Sequence, residues 1–65
     1  MDQQMMDNIL SETYKECVKL MHLGSIETAS ELYKSDIQKA AKIVYDKGYD
    51  FHMIRGVLKD ILSKT

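Results

Sequence analysis

Residues 40–62 read AAKIVYDKGYDFHMIRGVLKDIL, and this stretch decides the fold. Gly48 interrupts it where a helix must stop, because a glycine takes the left-handed backbone that closes a last turn at no steric cost. Two residues later Asp50 offers a carboxylate to the unpaired amides of a new helix. Tyr49 precedes Ile54 by five residues, the spacing of an apolar staple across a helix start. Beyond the corner, Ile54, Val57, Leu58, Ile61 and Leu62 fall at i, i+3, i+4, i+7 and i+8, one face of a helix beginning near Phe51. The stretch is therefore helix, corner, helix.

Upstream, the first of these helices extends back to residue 26. Ile26, Ala29, Tyr33, Ile37, Ala40 and Val44 step by threes and fours, with Leu32, Ala41 and Ile43 beside them. Residues 26–47 thus predict one long helix, while Ser35, within Lys34, Ser35 and Asp36, is placed to cap a second helix and split it. Before it, residues 2–23 repeat the pattern with Met6, Leu10, Tyr14, Cys17 and Met21, widened by Met5, Ile9, Val18 and Leu20. Gly24 suits the left-handed position past the end of that helix, and Ser25 caps the next one. No segment alternates with period two over a useful length, so strands have no support.

The expected fold is all-α: a three-helix bundle of two long antiparallel helices and a shorter third, forming a single domain over residues 1–65. A chain of 65 residues needs help to be stable, and disulfides, a metal or oligomerisation are the usual means. Cys17 is the lone cysteine, which excludes an internal disulfide, and its spacing to His22 and His52 is not that of a zinc site. Helix packing or self-association must serve instead. Helices of about 22 residues outreach one of about 13 at ~1.5 Å per residue, so apolar surface should be left over.

Charge adds constraints. Nine Lys and Arg against ten Asp and Glu give a net charge of -1, with no overall attraction to nucleic acid or an anionic membrane. The first 25 residues hold four acids and two lysines, residues 26–48 four of each, and residues 49–65 two acids and three bases, so no helix is strongly basic. No apolar run approaches the ~20 residues of a membrane span, and the acidic start is unlike a signal peptide, from which a cytoplasmic location is expected.

No residue set points to catalysis. Cys17 lies within the apolar stripe, where a small buried thiol is expected rather than a reactive one. His22 closes the first helix and His52 opens the third, and the residues four positions from each cannot bind a metal. No cofactor, metal or catalytic group is therefore expected. Met5 and Met6, with Met1, put three of five methionines at the start of the first helix, a composition that suits core filling beside a frayed terminus or, if exposed, an adaptable docking patch. Gly56, inside the third helix, costs about 1 kcal/mol relative to alanine, which a close approach of another helix, a partner chain or a nucleic-acid backbone would offset, unless the glycine simply faces solvent and is tolerated there.

Residues 39–65, with Tyr45, Gly48, Tyr49, Asp50, Ile54, Val57 and Leu58 in the places that matter, resemble the helical repeat of RecX-type recombination regulators, an aliphatic helix ending in glycine and an aromatic followed by a cap and an Ile-x-x-Val-Leu helix. The segment is also similar to helical hairpins of plasmid relaxases and other mobile-element proteins. The resemblance implies a helical regulator of bacterial, plasmid or phage origin. Gly48 and Ile54 additionally match the spacing of a helix-turn-helix, although Val44 stands where a small alanine is usual. In that arrangement residues 51–64 form the recognition helix, with Phe51, His52, Met53, Arg55 and Lys59 toward DNA and Lys39, Lys42 and Lys47 near phosphates.

The function expected is that of a non-catalytic helical interaction module, a regulator or inhibitor that docks on a partner protein or self-associates into a homo-oligomer. Its candidate partner-binding residues are Met5, Met6, Phe51, His52, Met53, Arg55, Gly56 and Lys59. A helix-turn-helix DNA-binding regulator is the alternative.

Overall fold

The computed structural model describes residues 2–48 and 50–64. Three α-helices form a bundle: α1 (Gln3–Met21), α2 (Ile26–Asp46) and α3 (Ile54–Ser63), the last preceded by a 3₁₀ turn at Phe51–Met53. The short corner between α1 and α2 makes them antiparallel neighbours, and α3 packs on both. The long dimension of the molecule, 29 Å, is about the length of one 19-residue helix, so the ten-residue α3 covers only about half of the hairpin.

The starts of α1, α2 and the 3₁₀ turn are capped by side chains beside them in the sequence. Asp2 Oδ1 accepts from the Gln4 and Met5 amides at 3.0 and 3.4 Å, and the Asp2 amide donates to Tyr45 Oη at 2.9 Å, tying the start of α1 to the last turn of α2. Ser25 Oγ accepts from the Thr28 amide at 3.2 Å, as its position predicts. Asp50 Oδ1 accepts from the His52 amide at 2.9 Å, also as expected, but it caps the 3₁₀ turn. The α-helix proper therefore begins at Ile54 rather than near Phe51. The staple assigned to Tyr49 lies outside the described residues.

The helix ends correct one expectation. Gly24 does not take the left-handed position after α1; His22 does, at φ 54° and ψ 44°. Histidine is among the few non-glycine residues enriched in that region. The reversal two residues early lets the Leu23 amide reach Val18 O at 3.0 Å and brings Leu23 back onto the core. Gly48 does adopt a positive φ, 110°, where α2 ends.

Two adjoining clusters make the core. Cys17, Ala29, Ile37, Ala40 and Leu58 form one; Ile9, Ala41, Val44 and Ile54 form the other, and Leu10 and Val57 pack against both. The buried line of α1 is thus Ile9, Thr13 and Cys17, rotated from the Met6, Leu10, Tyr14, Cys17 and Met21 line that hydropathy favours; Met21 is exposed. Thr13 can be buried because its hydroxyl donates to Ile9 O at 2.6 Å, which leaves no unpaired polar atom.

Residues 34–36 remain helical, so Ser35 does not split α2. The helix instead bends at Tyr33, just before them, whose φ of -129° and ψ of 19° are not helical. Tyr33 itself is half-buried and packs against the first core cluster.

Candidate interaction surface

Three groups of side chains are available for contact with another molecule. The first is the start and outward face of α3. Phe51, in the 3₁₀ turn, is 44% exposed and with Asn8, Ser11, Glu12 and Lys15 lines an open depression of about 370 Å³ on the outer face of α1. His52 is fully exposed, its ring nitrogen Nδ1 3.2 Å from Asp50 Oδ1. Gly56 and Lys59 continue the line at helical spacing, both exposed. Arg55 lies 3.8 Å from Glu16 Oε1, so an acid of α1 accompanies this cation.

Gly56 has no close neighbour: a Cβ built on it would meet nothing within 4 Å. The compensating approach of another helix within the chain does not occur, because α3 turns this position to solvent and its apolar face, Ile54 and Leu58, inward.

Methionines make up the second group, and here the fold divides what the sequence groups. Met6 and Met53 come together by packing on the same core cluster of Ile9, Ala41, Val44 and Ile54, while Met5 is half-buried. Both Met6 and Met53 act as core filling, which their flexible, unbranched side chains suit.

The third group was not singled out as a site by sequence reasoning. Leu32 is 62% exposed and Ile43 37%, both on α2, Leu32 just before its bend at Tyr33 and Ile43 after it. Between them, on the flank of Ile43, are Asp36 and Lys39. Leu32 and Ile43 border the apolar stripe in the sequence; the available signal was that the stripe of α2 is wider than the two other helices can cover. Ile26 and Met21 are exposed near the α1–α2 corner.

Cys17 is buried, as its place in the stripe predicts, and burial, with a smaller contribution from the Asp36 carboxylate, pushes its thiol above the ordinary range. Such a thiol is a poor nucleophile. Among the described residues no group of three or more His, Cys, Asp and Glu side chains is arranged to hold a metal ion, and no helix is long and apolar enough to cross a membrane. Compared with protein-family models, curated proteins and solved structures, the chain matches none.

Proposed function

We propose that this chain is a non-catalytic helical interaction module that works by covering a surface of another protein or of a second copy of itself. The observation that carries this reading is the exposure of two large apolar side chains of α2, Leu32 and Ile43, on the outside of the bundle. Large apolar side chains aligned along a helix are the anchors by which helices dock. A regulator or inhibitor of bacterial, plasmid or phage origin is compatible with the resemblance of residues 39–65 to RecX-type and mobile-element helical hairpins.

A second reading, a DNA-binding helix-turn-helix, draws on the exposure of His52, Gly56 and Lys59 along α3. It is the weaker one, since Glu16 accompanies Arg55 and the net charge of -1 supplies no attraction to phosphates.

Sedimentation equilibrium of the purified chain, with and without a mixed-sequence DNA duplex at low salt, tests both, together with affinity capture on the immobilised chain. Each measurement is repeated with the Leu32→Lys/Ile43→Lys variant. The expected result is a mass above the monomer, or a captured species, lost in the variant and indifferent to DNA. A monomer that captures nothing the variant does not also capture would overturn the interaction reading. A salt-sensitive shift onto DNA, abolished by Lys59→Ala, would install the alternative.

A further inference from the structure

The flank of α2 is self-complementary. Leu32, Asp36, Lys39 and Ile43 are separated by four, three and four residues, so the order apolar, acid, base, apolar has the same spacing read in either direction. Asp36, Lys39 and Ile43 lie on one flank of the helix by spacing. Leu32 precedes the bend at Tyr33, and its 62% exposure keeps it on the outside of the bundle. Lys39 is exposed and Asp36 half-exposed, and among the described residues neither makes an ion pair within the chain.

We infer that the occupant of this flank is a second copy of the chain, laid antiparallel across it. The inference rests on the interaction reading above and names its partner. A two-fold axis crossing α2 between Ile37 and Gln38 places Leu32 opposite Ile43 of the other copy and Asp36 opposite its Lys39, and symmetry repeats both pairs. This is the isologous arrangement that a closed dimer requires, one patch meeting itself. The central charges attract across the axis in the antiparallel register, and the apolar pairs close the two ends. A parallel pairing in register would set Asp36 against Asp36 and Lys39 against Lys39, so the charges also select the orientation. Four apolar side chains and two ion pairs make a small interface, of the class whose complexes dissociate at roughly micromolar to millimolar concentrations.

Charge exchange tests the register. Asp36→Lys and Lys39→Glu are made singly and together, with circular dichroism establishing that each variant is folded. Sedimentation equilibrium is run from about 10 µM to 1 mM, a range bracketing the expected dissociation constant. The natural chain should rise from 7.5 kDa toward twice that mass. Each single variant, now facing like charges, should stay monomeric over the range. An equimolar mixture of the two single variants should dimerise. In the mixed pair the introduced lysine of one copy faces the introduced glutamate of the other, and the retained Lys39 faces the retained Asp36. The double exchange should dimerise alone. A natural chain that stays monomeric at about 1 mM overturns the inference but not the interaction reading, which then stands or falls on the captured partner. A dimer indifferent to the single exchanges, or singles that lose it without recovery on mixing, also overturns the inference and places self-association elsewhere.

Discussion

Gly56 is the residue whose cost is most directly measurable. Its place in the interior of α3 lowers helix stability because an unsubstituted backbone loses more freedom on folding, and no neighbour within 4 Å recovers that loss. Gly56→Ala should therefore stabilise the chain by about 0.5–1 kcal/mol in urea unfolding, with an unchanged slope. A loss of stability would mean that the position is crowded after all. The same substitution separates two roles: if a partner approached α3 as closely as only glycine permits, the alanine would weaken that complex while strengthening the fold. Gly48 is the opposite case, since its φ of 110° excludes a side chain without strain. The sequence already separates the two, Gly48 at a helix end and Gly56 inside a helix, and the backbone agrees in giving a positive φ to Gly48 and not to Gly56.

Among the helices, α2 consists of two unequal pieces. Residues 26–32 bury only Ala29, whereas residues 34–46 bury Ile37, Ala40, Ala41 and Val44. Local stability follows buried apolar contact, so the piece before the bend should open without unfolding the rest. In amide hydrogen exchange, residues 30–33 should lose protection at least ~10-fold faster than residues 40–44. Uniform protection along α2 would show that the bend at Tyr33 does not divide it. Hydropathy spacing places a helix over this whole segment correctly, because it measures phase. It does not place the bend, because an apolar stripe keeps its phase whether or not one residue within it leaves helical geometry. The same reasoning explains α3: its apolar spacing was legible, but the 3₁₀ turn at Phe51–Met53 depends on how the chain crosses from one helix to the next.

Across the bundle as a unit, Cys17 is the reporter. Its thiol is buried where the three helices meet, beside Ala29, Ile37, Ala40 and Leu58. Its pKa in the folded chain is raised, first by burial and then by Asp36, while an unfolded thiol ionises near ~8.5. The folded state thus holds the proton more tightly. Stability from this group is intact below the unfolded value and falls as pH rises above it, toward the folded value. Chemical denaturation from about pH 7 to pH 10 should show that decline, and Cys17→Ala should lack this part of it. A decline identical in both proteins would assign the effect to other groups. The same burial makes disulfide-exchange reagents report opening rather than surface chemistry.

Neighbours within a few residues were enough to establish the helical class, the number of helices, the cap residues Ser25 and Asp50, and the burial of Cys17, because helix periodicity and capping are local. Packing between helices settled the rest. It moved the left-handed turn from Gly24 to His22, buried Thr13 by pairing its hydroxyl with the helix backbone, drew Met6 and Met53 into the core, and left Leu32 and Ile43 outside. The candidate surface on α3 was readable in part, since exposure of His52, Gly56 and Lys59 follows from an apolar stripe on the other face. The flank of α2 was not, because a stripe tells how wide an apolar face is, and only the lengths and placement of the packed helices decide how much of it is covered.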